Sequence, residues 1–276
     1  MNATAGFRSL FDGKSLAGWR PIGRIYGSAW PGAPAPADDA TSPSHRYPAA
    51  WDVVDGAIVG RQNAEVDGYG GYLLSEETFG DFELLLEVNP DWPVDTGIML
   101  RRGATTWNGF QVLVDHRDEG SIGGFYGNGL DDFHAVPFTL GPRFDDSGRQ
   151  VGLTEFGASR TPALVGYTPE KRAMLSYAAE ASEFLSVWRF GEWNEIRVRC
   201  VGALPVLTTW INGVRIAELD TATIQRPNYN PEAVLAHLGP RGHLALEVHD
   251  RIPGAGDLFW GPGAVCRWRG IRIKEL

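Results

Sequence analysis

The clearest order in this chain is an alternation of apolar and polar side chains with a period of two. From Asp81 to Asn89, Phe82, Leu84, Leu86 and Val88 fall on one face and Glu83, Leu85 and Glu87 on the other, as in a strand with one side against a core. Gly109 to His116 sets Val112 and Val114 opposite Gln111, Leu113 and Asp115, and His243 to His249 sets Leu244, Leu246 and Val248 opposite His243, Ala245, Glu247 and His249. Both strands therefore carry titratable groups on the face turned away from the core. Asp55-Gly56 and Asn212-Gly213 lie between such runs and supply the φ > 0 positions of two-residue hairpin turns. Further strands are expected at 71–76, 96–102, 121–126, 194–201, 206–211, 214–219 and 264–274, about a dozen in all, which fits two packed antiparallel sheets.

Two stretches interrupt the pattern. Residues 20–50 hold Pro31, Pro34, Pro36, Pro43 and Pro48 among Ala and Gly and cannot carry a regular ladder. Residues 128–190 are a second insertion. Within it, Thr168 as N-cap and Pro169 at the first helical position, with Met174, Ala178, Ala181 and Leu185 on one stripe, predict a helix. Pro231 to Leu238, opened by Asn230 and closed by Gly239, predicts another. The 35 Gly, 18 Pro and 10 Trp suit many short strands joined by turns, and no break in composition divides the chain. The expectation is one all-β jelly-roll β-sandwich over 1–276, with one or two short helices in insertions at about 20–50 and 128–190.

Charge and motifs remove several classes. A net charge of −9 without a basic block leaves no electrostatic footprint for nucleic acid. No apolar run approaches the ~18 residues of a membrane span, so no membrane partner is expected. Met1 to Gly6 lacks the charged and apolar segments of a secretory signal, and a cytoplasmic location is expected. Cys200 and Cys266 fall inside predicted strands and read as buried free thiols. Serine-hydrolase elbow, P-loop and zincin helix motifs are all missing.

A series of short motifs adds a resemblance. Phe11-Asp12-Gly13-Lys14-Ser15-Leu16-Ala17-Gly18-Trp19 is followed by Trp51-Asp52-Val53-Val54-Asp55-Gly56, Thr96-Gly97-Ile98-Met99-Leu100-Arg101, Gly124-Phe125-Tyr126-Gly127, Gly191-Glu192-Trp193-Asn194, Trp210-Ile211-Asn212-Gly213 and the closing Arg269 to Leu276. In this order and spacing they resemble the 3-keto-disaccharide hydrolase domain family. The resemblance implies a concanavalin A-like jelly roll and an enzyme acting on a sugar or glycoside. Its implied reaction is cleavage of a 3-keto-glycoside, in which the C3 ketone acidifies the C2 proton and the C1 substituent leaves by elimination, with or without later hydration. Such a reaction needs a base, an enolate stabiliser and a proton donor; fixed positive charge or a divalent metal would serve as stabiliser.

Candidate residues follow from matching strand to motif. Gly242 to His249 resembles the family stretch Gly-x-Ile-x-Leu-Gln-x-His, which makes His249 the first choice of base, with Glu247 in the family glutamine position able to orient it or share a metal with it. Arg101 closes the run similar to the family's Asn-Ser-Gly-Ile-x-x-Arg and reads either as an enolate clamp or as an ion-pair partner of Glu87. Gly109 to Asp115 is similar to Gly-Tyr-Glu-Val-Gln-Ile-Asp: Asp115 is retained, while Gln111 and Leu113 depart from it. His116 shares a metal with Asp115 only if the strand has ended there. Glu87, Gln111, Tyr126, His116 and Trp107 are candidate substrate contacts, Trp30, Trp92 and Trp260 candidate sugar platforms, and His134 a candidate lid residue. Two other readings stand beside this one: a non-catalytic carbohydrate-binding, lectin-like module, and a conventional glycosidase pairing Glu83 or Glu87 with Asp115. The latter lacks the Glu-x-Asp-x-x-Glu run of laminarinase-type sandwiches.

Overall fold

The computed structural model describes residues 5–24, 48–63, 68–104, 108–156, 167–251 and 255–276. Most of the proline-rich stretch and Trp30 and Trp107 lie outside them. Two antiparallel sheets dominate. The first contains β13 (Tyr177–Ala178), β16 (Val214–Asp220), β15 (Val206–Ile211), β14 (Asn194–Val201), β6 (Phe82–Pro90), β18 (Cys266–Glu275), β4 (Ala57–Arg61) and β3 (Ala50–Val54) in that order, with β1 (Arg8–Ser9) paired to β18. The second runs β10 (His134–Ala135), β9 (Ile122–Asn128), β8 (Gly109–Val114), β7 (Gly97–Arg102), β17 (Gly242–Val248), β5 (Gly71–Phe79) and β2 (Trp19–Gly23). A separate hairpin joins β11 (Leu140–Phe144) to β12 (Gln150–Glu155). The fold is the expected all-β sandwich.

The alternation read from the sequence sets which face is buried. Phe82, Leu84, Leu86 and Val88 of β6 meet Ile98 and Leu100 of β7, Phe110, Val112 and Val114 of β8 and Leu244, Leu246 and Val248 of β17 in one core, each at most 1 % exposed. Each such side chain contributes roughly 1.5–3 kcal/mol by burial, so a one-residue slip of any strand is strongly disfavoured. The hairpin turns form as expected: Asp55 and Gly56 have φ of 50° and 77°, and Asn212 and Gly213 of 47° and 86°.

The insertion at 128–190 departs from expectation. It supplies β10 and the β11–β12 hairpin, and in place of one helix it forms two, Pro169–Ala173 and Ala181–Val187. Between them Tyr177 and Ala178 extend to pair with Glu218 and Ala217 of β16. Edge pairing satisfies these backbone groups and overrides the helical stripe from Met174 to Leu185. The second helix then needs its own start, a capping box between Glu180 and Glu183. Helix Pro231–Leu238 begins on Asn230, whose side chain accepts from Ala233 N at 2.9 Å, and ends at Gly239 with φ 70°. Cys200 and Cys266 are buried and free, and among the described residues no helix is long and apolar enough to cross a membrane.

Candidate functional site

The second sheet turns one face to the core and gathers polar groups on the other. Strand pairing orders them into rows, because every second residue returns to the same face. One row crosses His134, Tyr126, Gln111, Met99, Ala245 and Leu74. The next contains Leu113, Gly97, Glu247, Tyr72 and Ile22. Two residues further along the same strands lie Asp115, Asp95, His249 and Arg24, at one end of the sheet; the bridge Val94↔His116 extends the register of β7 and β8 to set Asp95 opposite Asp115.

Glu247 is the centre of the arrangement. It is 1 % exposed; Oε1 lies 3.2 Å from Arg24 Nη1, and Oε2 accepts from Gln111 Nε2. Gln111 belongs to β8 and reaches Glu247 by lying across Gly97 of β7, where a Cβ would stand 2.2 Å from its Nε2. The glycine is therefore a requirement of the polar contact above it. Asn128 Nδ2 donates to Gln111 Oε1 at 2.7 Å and fixes the amide. Burial raises the Glu247 carboxyl to about 7, against the pull of Arg24.

Beside it stands a second charged group. Arg117 Nε donates to Asp95 Oδ2 at 2.6 Å, and Arg117 Nη2 lies 4.0 Å from Asp115 Oδ2, with the guanidinium 4.5 Å from the Phe259 ring centroid. Burial works against the Asp95 anion, yet Arg117 holds it below the usual carboxylate range. Asp115 behaves oppositely: burial and then the charge of Asp95 raise it well above that range, which favours its protonated form. Its Oδ1 has no hydrogen-bond partner among the described residues. Half-buried His249 stacks on Phe259 at 5.0 Å, and its Nδ1 lies 2.7 Å from Asp250 O. With Nδ1–H donating to that carbonyl, Nε2 carries the lone pair; burial, then Arg24, lower the imidazole to about 4. At the other side of the sheet, Tyr126 donates to Asp132 Oδ1 at 2.9 Å and stacks on His134 at 4.2 Å.

His249, Glu247, Asp115, Gln111 and Tyr126 thus share one face, with His134 at its edge. Arg101, Glu87, His116 and Trp260 do not join them. Arg101 has φ 52°, a bulge that turns its side chain off the face; Nη2 donates to Gly80 O at 3.0 Å, Gly202 O at 2.9 Å and Asp81 Oδ1 at 3.1 Å, tying together two turns. Arg102 takes the outer face instead, its guanidinium 4.7 Å from the Tyr72 ring centroid. Glu87 lies on β6 of the first sheet, paired with Arg269 at 2.8 Å rather than with Arg101. His116 projects from the opposite side to Asp115, with its ring centroid 5.1, 5.6 and 5.5 Å from those of Trp92, Trp188 and Phe190. Trp260 is buried, donating to Ala264 O at 2.9 Å. Arg24, Tyr72, Asp95, Arg102 and Arg117 were not singled out from the sequence. Parity would have found Asp95, two residues before Gly97, whereas the pairing of Arg117 with it is visible only in three dimensions. Among the described residues no three His, Cys, Asp or Glu side chains converge as a metal site.

A family model described as 3-keto-alpha-glucoside-1,2-lyase-like domain matches residues 6–274. No curated relative matches the sequence. Among solved structures the chain is similar to a Bacillus licheniformis beta-glucanase at 10% identity, covering 99% of this chain and 100% of that one with a TM-score of 0.47. It is also similar to the carbohydrate binding module CBM66 from Bacillus subtilis at 11% identity, covering 94% and 96% with a TM-score of 0.43.

Proposed function

The chain belongs to the 3-keto-alpha-glucoside-1,2-lyase-like domain family, and on that premise we propose that it cleaves 3-keto-glycosides by elimination on the face that carries Glu247. The observation that supports this most is the Glu247 carboxyl itself, buried, held by Arg24 and Gln111, and titrating at about 7. A base is most effective when its pKa lies near the working pH.

In this reading Glu247 takes the C2 proton, a role first given to His249. The C2–H electrons move into the C2–C3 bond and the ketone oxygen becomes an enolate, which the Arg24 guanidinium holds. Collapse of the enolate expels the C1 oxygen and leaves a C1=C2 double bond conjugated to the ketone. Asp115, whose protonated form is favoured by burial and by the charge of Asp95, supplies a proton to the departing oxygen, while Arg117 holds Asp95 in place. Neutral His249 presents Nε2 as an acceptor for a sugar hydroxyl. Water added across C1=C2 would complete a net hydrolysis.

The test is incubation with a 3-keto-glucoside bearing a chromogenic aglycone, beside the unoxidised glucoside. Release from the keto substrate alone, reduced at least about 100-fold by Glu247→Gln, is the expected result. Release from neither favours a binding module, and equal release from both a conventional glycosidase.

A further inference from the structure

One charged side chain on this face has no part in the elimination. Arg102 is 0 % exposed and forms no ion pair among the described residues; its Nη1 donates to Gly103 O at 2.8 Å, while Nε and Nη2 have no hydrogen-bond partner among those residues. Its backbone sits opposite His243, at the end of the sheet remote from His249, and the guanidinium folds back over the Tyr72 ring. The Tyr72 hydroxyl beneath it is also buried and unpartnered among the described residues. The cation Arg20 acts against Arg102, and the carboxylate that acts in its favour, Glu247, is already held by Arg24.

A buried guanidinium without a counter-charge is strongly unfavourable, and a fold retains one at a cost in stability. The pattern of used and unused donors is specific. Nη1 is occupied, which leaves the Nε–Nη2 edge, the side-on fork that matches two oxygens of a carboxylate or phosphate. Stacking on Tyr72 fixes the plane of that fork. We propose that Arg102 is a specificity residue that binds an anionic oxyacid group of the substrate, so that the cognate glycoside carries a carboxylate or phosphate remote from C1 and C2. This rests on the reading of the face as a glycoside site.

The test separates the two claims. Calorimetric titration of the whole protein with glucuronate, glucose 6-phosphate and glucose reads the anion site without turnover. One of the two anions should bind about 10- to 100-fold more tightly than glucose, and which one does so distinguishes carboxylate from phosphate. Arg102→Gln should abolish the preference, and Arg102→Lys, which keeps the charge and loses the fork, should retain only part of it. Equal binding of all three sugars, binding of none, or a preference that survives Arg102→Gln overturns the proposal. Thermal unfolding gives a second readout: Arg102→Gln should be at least as stable as the parent, because it removes an unpaired buried charge, and a clear loss of stability would instead mark Arg102 as a structural residue. Cleavage of the chromogenic keto-glucoside without anion preference overturns this assignment alone, whereas anion-selective binding without cleavage overturns the elimination and leaves the Arg102 site standing.

Discussion

Gly97→Ala places a single methyl group where it does the most chemical damage. The new Cβ would stand 2.2 Å from Gln111 Nε2, 2.7 Å from its Cγ and 2.8 Å from its Cδ, so the Gln111 side chain must leave its position. Leaving breaks the bond to the Glu247 carboxyl and the one accepted from Asn128. A buried hydrogen bond to a charged group is worth about 1.5–3 kcal/mol and a neutral one about 1, which gives an expected loss of roughly 2.5–4 kcal/mol. Gln111 also lowers the pKa of Glu247, so its departure raises that pKa further above about 7. The rising limb of the pH–rate profile should then move to higher pH, because the base acts deprotonated. Urea unfolding of Gly97→Ala, Gln111→Ala and the double variant measures the coupling. Gln111→Ala removes the obstacle, and the double variant should cost little more than Gln111→Ala alone. A Gly97→Ala protein within about 0.5 kcal/mol of the parent, or strict additivity in the cycle, would refute the argument.

Three further outcomes are expected. Asp95→Asn leaves Arg117, 1 % exposed, without its nearest anion and should cost about 3–5 kcal/mol in urea unfolding; carbon NMR of the same variant should show Asp115 titrating at lower pH, since the charge of Asp95 is one cause of its elevation. The Glu247 carboxyl titrates at about 7 in the fold against 4.5 for the free group, so between those values the folded chain holds more protons and stability declines as pH rises; Glu247→Gln should flatten that decline by up to about 3 kcal/mol, and identical slopes for parent and variant would contradict the burial argument. His249→Ala, which removes one acceptor for a sugar hydroxyl, should lower kcat/KM for the keto-glucoside roughly 10-fold while its urea midpoint stays near the parent's, because the ring is half-buried; unimpaired turnover would remove His249 from the site.

The contrast between what alternation revealed and what it hid has physical causes. β6, β8 and β17 were legible because a period of two and a buried face leave one register; the family resemblance picked out Glu247, His249, Asp115 and Gln111, and parity set them on one face. The same parity misplaced Arg101, since a positive φ at a non-glycine residue shifts the count by one and hands the face to Arg102. Glu87 lay on a polar face as expected, but alternation does not say which of two sheets owns the face. His116 failed because the bridge to Val94 carries the strand register past Asp115, and strict alternation then turns His116 to the opposite side. The stripe from Met174 to Leu185 had helical spacing, and pairing with β16 proved the stronger demand. Ion pairs such as Arg117 with Asp95, formed between neighbouring segments, have no signature along the chain at all.

The position of β18 has a consequence for how the protein is made. This strand lies between β6 and β4 and also receives β1, with Arg8 opposite Ile273. Until residues 266–275 leave the ribosome, the first sheet exists as two separate parts, and the β6 and β4 edges that will flank Trp268 stand open. A nascent chain stalled shortly before that point exposes two unpaired edges at once, the state in which strands join the wrong partner. Closure of the sheet therefore couples residues 8–9 to residues 266–275, and a chain cut before Cys266 would be prone to aggregate.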